Sequence, residues 1–465
     1  MSLHLGQTTL ILLFVAYAAG MVAAVIALFQ SRTPQGAAAW IVSLIFFPFL
    51  SIPLFILFGK RRLKKYADFN VLPHYPIKPN CLQEYEEKSP EDPLTKFFCS
   101  SEHPQLKGHK LKLLVDGRKI FPEMLDDIDQ AKEFILLQMF LIRSDDIGNE
   151  FFMKLALKAS QGVKVYVLYE NIAVSITKES MELLKKSGVH LGKYNPMKNS
   201  MLLANFRNHK KLLIIDNEVG YWGGVNIGND YLGLYKEIGH WRDTNVRVEG
   251  PALMIGKKSF AKDWEWSQKS RIEINWDVPS PRGDSSVFIL NSDPSTDRTI
   301  NLLQHIEMIN QSTKKVWIAN PYIVPPQGLM DALLIACIRG VEIRILVPGK
   351  SDNPLVSSAC EVYYERLLKA GVRIYRFNKG MMHQKIMLSD DKIAMIGSSN
   401  FDFRSMYINF ENGLITTDED FVLQVEEMLA MDFRNSTQLT VSEFRNKKFS
   451  EKLTSRFCNV LAPIL

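Results

Sequence analysis

Two short stretches of this chain share one pattern. His209, Lys211 and Asp216 are spaced His-x-Lys-x4-Asp, and His383, Lys385 and Asp390 repeat that spacing. Seven residues beyond each Asp begins a small-residue turn that ends in Asn: Gly223-Gly224-Val225-Asn226 and Gly397-Ser398-Ser399-Asn400. Eleven residues beyond each Asn stands a Glu, Glu237 and Glu411. A single His-x-Lys carries little information. Two matched sets of His, Lys, Asn and Glu point to one active site built from two halves.

The residue types suit phosphate chemistry. Each copy begins in what reads as a strand, residues 210–215 and 385–388, and alternate strand residues share a face. The Gly-rich turn lets backbone approach a ligand closely, and its Asn can donate to an anion. If the halves face each other, two Lys, two Asn and two His surround one small anionic group, and a phosphate fits such a cage. One imidazole could attack phosphorus. The other could protonate the leaving alkoxide and then activate the incoming hydroxyl. Glu237 and Glu411 are candidates to hold the second ring nitrogen of each. The Lys and Asn donors offset developing negative charge, so the scheme calls for neither metal nor cofactor. Asp216 and Asp390 each fall at a strand end before a turn, where a structural hydrogen-bonding role is expected over direct chemistry.

The doubled motif resembles the signature of the phospholipase D superfamily. The resemblance implies two motifs meeting at a pseudo-twofold axis, with metal-free catalysis through phosphohistidine. Carried over by position, it makes His209 and His383 the nucleophile and the general acid/base. It favours His209 as nucleophile, although the symmetry leaves the assignment open. It implies that Lys211, Lys385, Asn226 and Asn400 bind phosphate, with Ser398 in the Gly-Ser-x-Asn turn; Gly224 replaces the equivalent Ser in the first turn. Glu237 and Glu411 would orient the histidines, and Asp216 and Asp390 complete the catalytic motif.

The flanking stretches Asn226–Gly233, Trp241-Arg242-Asp243-Thr244, Asn320-Pro321-Tyr322 and Asp402-Phe403-Arg404-Ser405 are similar to bacterial cardiolipin synthases of the phospholipase D type, as is Arg32-Thr33-Pro34. That similarity implies a membrane phosphatidyltransferase that makes cardiolipin from two phosphatidylglycerol molecules and releases glycerol. A membrane-anchored hydrolase, or a transferase with another donor lipid, would use the same histidines. A scaffold would have no need of both complete sets.

Those residues must be held at a lipid surface. Residues 8–29 and 37–58 are uncharged and apolar, each near the ~20 residues a spanning helix needs. Their short connection predicts a helical hairpin. Pro48 and Pro53 would kink the second helix or end it early, which leaves a shallow re-entrant hairpin as an alternative to two spans. Lys60-Arg61-Arg62-Leu63-Lys64-Lys65 follows, against Arg32 alone in the hairpin loop. That asymmetry predicts a catalytic part on the cytoplasmic side, and the resemblance implies that the membrane is the bacterial inner membrane. A signal peptide is not expected, since no Lys or Arg precedes the first apolar stretch and a second one follows. The net charge of +6 fits an anionic partner, and the apolar hairpin favours lipid over nucleic acid. Five scattered cysteines lack metal-ligand spacing and read as reduced thiols.

The rest of the chain predicts an α/β fold: two pseudo-symmetric phospholipase D-like α/β sandwich domains after the hairpin. Expected boundaries are 1–65 for the membrane hairpin, 66–105 for a linker, 106–276 for the first catalytic half and 285–465 for the second. Strand and helix signals alternate in the same order in both halves. Gly162-Val163 corresponds to Gly340-Val341, and Gly188-Val189 to Gly371-Val372. Tyr322, Met381, Met382 and Phe403 are candidates for apolar walls, with ordinary core packing the expected role for most. His240 is expected to be structurally paired.

Overall fold

The alternation of strand and helix signals folds as one long mixed sheet. The computed structural model describes all residues except 1, 32, 60–62, 64–65, 67–68, 70–71, 79, 88–91, 102, 173, 195–204, 236, 296–298 and 462–465. From the centre outward, the first half contributes strands Leu106–Val115, Thr244–Glu249, Val219–Gly223, Leu212–Ile215, Phe134–Met139, Lys164–Glu170 and His190–Tyr194. The second half runs outward the other way through Ser285–Ser292, Glu411–Thr416, Ile393–Gly397, Ile386–Ser389, Lys315–Ala319, Glu342–Val347 and Arg373–Phe377, with Ser436–Gln438 at its edge. The two series match strand for strand. They join where Leu106–Val115 pairs antiparallel with Ser285–Ser292.

The matched glycines end matched helices. Gly162, Gly188, Gly340 and Gly371 all have positive φ. The residue after each donates back to the helix, as Val163 N to Lys158 O (3.1 Å) and Val341 N to Ala336 O (3.0 Å). This is the Schellman closure that glycine adopts without Cβ strain.

One core spans both halves beneath the sheet. Helix Leu253–Gln268 supplies Leu253, Phe260 and Trp264, and helix Glu419–Arg434 supplies Phe421, Val425 and Leu429. Each half also has its own core on the opposite face. Segment 66–105 differs from the expected linker. Tyr66, Tyr75 and Leu82 are buried in the shared core, and Leu94 and Phe98 in that of the second half. Leu94 and Phe98 lie one turn apart on the same face of the helix Pro93–Ser100.

At the N-terminus a helix runs Ser2–Gln30, and its stretch Thr8–Gln30 is long and apolar enough to cross a membrane. The second apolar stretch is not the single helix 37–58 that its composition suggested. It forms Pro34–Phe46 and Pro48–Phe58, of 13 and 11 residues, broken at Phe47 with φ −133 and ψ 56. Pro48 drives the residue before it out of the α region. Neither piece by itself reaches the ~20 residues of a span. The pieces pack on a stripe of small residues: Ala23, Ala24 and Ala27 are buried, and a Cβ on Gly20 would lie 2.5 Å from Leu44 O. Such stripes let apolar helices approach closely in lipid. The charges of the basic cluster (Lys60, Arg61, Arg62, Lys64, Lys65) and Arg32 lie outside the described residues. Leu63, inside the cluster, is buried and donates its N–H to Pro294 O (3.1 Å).

Candidate active site

The motif strands begin later than expected, at Leu212 and Ile386, so His209, Lys211, His383 and Lys385 all sit in the segments leading into them. Each segment lies along the opposite half. His209 N donates to Phe410 O (2.9 Å), and His383 N donates to Arg242 O (2.8 Å). The residue after each acceptor is a fully buried carboxylate, Glu411 and Asp243. Backbone pairing between halves therefore delivers each acid to the other half's imidazole. His209 Nδ1 lies 2.9 and 3.1 Å from the two Glu411 oxygens. His383 Nδ1 lies 2.7 Å from Asp243 Oδ2. A carboxylate at Nδ1 selects the tautomer that leaves Nε2 free for chemistry.

Glu411 thus holds His209, but Glu237 holds neither histidine. It is exposed on a surface loop, and Lys350 Nζ donates to its backbone oxygen (3.0 Å). Asp243 takes the expected place. Strand register explains the substitution: Gly223 pairs with Asn245, and Gly397 with Gly413. Asp243 and Glu411 are therefore equivalent, although the path from Asn226 is six residues longer than that from Asn400. Loop length varied while sheet register could not.

Asp216 and Asp390 are turned away from the chemistry. Asp216 accepts the N–H groups of Lys132, Glu133 and Phe134 at 2.8–2.9 Å. Asp390 accepts those of Thr313, Lys314 and Lys315 and the Thr313 hydroxyl. Both have positive φ, 52 and 50, a conformation Asp tolerates better than most residues. They cap the starts of neighbouring strands and so fix the motif strands' register, as their place at strand ends suggested.

Ser398 also departs from its expected phosphate contact. Its hydroxyl donates to Glu411 Oε2 and accepts Asn412 N (3.0 Å). At the matching Gly224, a Cβ would fall 2.2 Å from Asp243 Oδ1. The glycine makes room for the shorter acid. Asn226 is engaged at both ends of its amide, accepting Leu141 N (3.1 Å) and donating to the Tyr231 hydroxyl. Asn400 Oδ1 is buried without a hydrogen-bond partner among the described residues.

The two lysines converge behind the imidazoles. Lys211 Nζ donates to His209 O (2.7 Å), and Lys385 Nζ donates to His383 O. Burial lowers Lys211 to about 7, with Lys385 adding to the shift against Glu411 and Asp243. Burial also lowers Lys385 to about 8, opposed by Asp243, Asp352 and Glu411. His209 is lowered to about 4, chiefly by burial, with Lys211 and Lys385 adding to it against Glu411. His383 is lowered by burial and by Lys385, against Asp243. Burial favours the neutral form of both imidazoles, and each group feels charges from the other half, as one shared site requires.

Three rings line the histidines that the motif pattern did not assign. Phe140 packs edge-on to His209, with centroids 4.9 Å apart, while Trp241 and Tyr231 approach His383 at 5.2 and 5.9 Å. Met381 and Met382 are core residues. His240 Nε2 pairs with Asp116 (3.2 Å).

The comparisons agree with this geometry. A family model described as "Cardiolipin synthase, PLD-like domain" matches residues 124–264 and 305–433, and one described as "Phospholipase_D-nuclease N-terminal" matches 19–60. Cardiolipin synthase A of Pseudomonas putida (strain W619) is 34% identical over 462 residues, covering 96% of each chain. Cardiolipin synthase A of Pseudomonas aeruginosa (strain LESB58) is 33% identical, covering 96% of this chain and 94% of its own. The crystal structure of phosphatidylserine synthase from Haemophilus influenzae Rd KW20 superposes with a TM-score of 0.62 at 16% identity, over 80% of this chain and all of the other. That last likeness concerns fold alone.

Proposed function

The chain belongs to the cardiolipin synthase family of phospholipase D-like enzymes, and on that premise we propose that it joins two phosphatidylglycerol molecules into cardiolipin and glycerol. The crossed pairing carries this reading: two neutral imidazoles, each on a carboxylate from the opposite half, share one site with two buried lysines. His209 Nε2 attacks the phosphorus of a phosphatidylglycerol whose charge is met by Lys211, Lys385, Asn226 and Asn400. The arriving anion favours the imidazolium, so His383 takes a proton from solvent at Nε2; the P–O bond to glycerol then breaks, and His383 gives that proton to the leaving oxygen. A hydroxyl of a second phosphatidylglycerol then loses its proton to His383 and bonds to phosphorus as the P–N bond breaks. The phosphodiester's energy is kept in the phosphohistidine, so transfer needs no nucleotide.

The same reading includes catalytic halves at 106–276 and 285–465, anchored to the cytoplasmic face of the inner membrane by the N-terminal helices. Anchoring presents lipid alcohol at high local concentration, which favours transfer over hydrolysis. The test is purified protein with phosphatidylglycerol alone, followed by lipid mass spectrometry beside His209→Ala and His383→Ala. Cardiolipin and glycerol from the wild type only is the expected result. Phosphatidic acid as the main product would make it a hydrolase, and turnover only after another phospholipid is added would change the donor.

A further inference from the structure

A cleft of about 480 Å³ lies between the halves, walled by Arg143, Asp230, Tyr231, Glu237 and Trp241 and, from the second half, Asp352. Its size falls in the ~300–1,000 Å³ range of small-molecule sites. Tyr231 and Trp241 belong both to this wall and to the surroundings of His383. The cleft therefore lies against the two rings that cover His383, which does not itself line it. Its chemistry is the opposite of the phosphate cage. Arg143 is engaged by Asp230 (2.9 Å). Asp352 accepts the Tyr322 hydroxyl (2.6 Å), and neither Asp352 nor Glu237 has an ion pair among the described residues. The Trp241 indole N–H, in a side chain 4% exposed, has no acceptor among the described residues. Such a wall repels a second phosphate and suits hydroxyl groups, which carboxylates accept, an N–H can serve and ring faces can cover.

We propose that this cleft is the alcohol subsite: it takes a small uncharged polyol, with one hydroxyl at His383 and the others on Glu237 and Asp352. The assignment rests on the phosphatidyl-transfer reading above. The leaving glycerol and the glycerol head group of the attacking lipid are both polyols. Each must exchange a proton with the same imidazole, so one subsite serves both half-reactions. In the second, the polyol oxygen bonds to phosphorus, the P–N bond to His209 breaks, and the hydroxyl proton passes to His383.

The experiment gives purified full-length enzyme phosphatidylglycerol in mixed micelles with equal concentrations of isotopically labelled glycerol, 1-propanol and ethanolamine. Products are counted by mass spectrometry. Wild type should make labelled phosphatidylglycerol over phosphatidylpropanol by about tenfold or more, because a site built for hydroxyls discriminates against their absence. Glu237→Ala and Asp352→Ala should each lower that ratio roughly fivefold, the worth of about one hydrogen bond. Both side chains are exposed, so the variants should fold. Thermal melting of each variant checks that. If the wild type makes neither a labelled product nor cardiolipin, the transfer reading itself fails; if cardiolipin forms while labelled glycerol is not taken, the subsite assignment falls and transfer stands. If transfer proceeds and both variants keep the wild-type ratio, the subsite assignment falls and transfer stands. An ethanolamine product that dominates in wild type and collapses in the variants would overturn the polyol in favour of an ammonium group.

Discussion

His209 and His383 carry one motif in two different settings. Beside His209, both chain neighbours are tied to a buried acid: Asn208 Nδ2 and Lys210 Nζ donate to Asp263 Oδ2 at 2.8 and 3.0 Å. Asp263 also accepts Gln138 Nε2 (2.8 Å) and the hydroxyl of Tyr66, which lies just past the basic cluster. Glu411 is itself held by Ser398, Ser405 and Asn409. Beside His383 the neighbours are uncharged. Met382 is core, and Gln384 Nε2 donates to Thr244 Oγ1 (2.8 Å). Asp243 gives one oxygen to His383 and the other to Thr244 N (2.9 Å). Both imidazoles are buried and ring-covered; the halves differ in that the neighbours of His209 are tied to Asp263, while a cleft lies against the rings over His383. A nucleophile must be fixed and neutral, whereas an acid/base must meet changing alcohols. The contrast supports giving attack to His209 and proton transfer to His383.

The largest effect should come from separating those roles with an activated phosphodiester whose leaving group needs no proton. His209→Ala should form no covalent adduct and lose ~10⁴-fold or more in rate, since no nucleophile remains. His383→Ala should release leaving group in a burst matching the enzyme concentration and then stall, trapping phosphohistidine for detection by mass spectrometry. Loss of general acid/base help alone costs ~10²–10⁴-fold in the second step. A burst from His209→Ala instead would exchange the two assignments.

A smaller effect should follow from exchanging the turns that seat the two acids. Gly224→Ser would press its Cβ onto Asp243 Oδ1 and free His383 from its carboxylate. Losing that orientation should lower kcat by about 10²-fold or more, as in other His–carboxylate pairs. Ser398→Gly removes one donor from Glu411 but leaves Ser405 Oγ (2.7 Å) and Asn409 Nδ2 (3.3 Å). A hydrogen bond to a charged group contributes ~1.5–3 kcal/mol, which sets the loss at roughly 10- to 100-fold, with the retained donors favouring the lower end. A silent Gly224→Ser would show that the glycine does not serve Asp243.

These contrasts mark where the sequence was legible. The paired motifs, the helix-ending glycines and the strand order all repeat at fixed offsets, because a duplicated sheet holds its register. Glu237 was misassigned because the count from Asn226 crosses a loop whose length is free to change. Asp243 stood in view within Trp241-Arg242-Asp243-Thr244, but only the sheet register, Asn245 opposite Gly223 and Gly413 opposite Gly397, matches it to Glu411. Asp216 and Asp390 were legible as structural from their place at strand ends. The Asp263 cluster was not legible. Tyr66, Gln138, the pair Asn208 and Lys210, and Asp263 come from four separate segments and meet only in the fold.

The gentlest way to sharpen the comparison is pH. The lysines bind phosphate as cations, and burial lowers Lys211 to about 7 and Lys385 to about 8. As pH rises through those values the free enzyme loses first one charge and then the other. kcat/KM should therefore fall by about a further tenfold per pH unit at the first of these steps and more steeply beyond the second. That fall adds to an earlier one, below the usual imidazole range, as His383, the acid of the first half-reaction, loses its proton. The profile of kcat should hold to higher pH, because a bound phosphodiester anion raises both lysines. On the acid side His209 must be neutral to attack, and its lowering from 6.5 to about 4 keeps it so well below the usual imidazole range. Guanidinium does not deprotonate in this range. Lys211→Arg should thus remove the lower alkaline step and Lys385→Arg the upper one, where the variant retains activity. A kcat/KM flat to pH 9 in the wild type would mean that the lysines are not the cations that receive the lipid phosphate. One alkaline step removed equally by either variant would mean that the pair titrates as a unit, and the two halves would then differ only in their histidines.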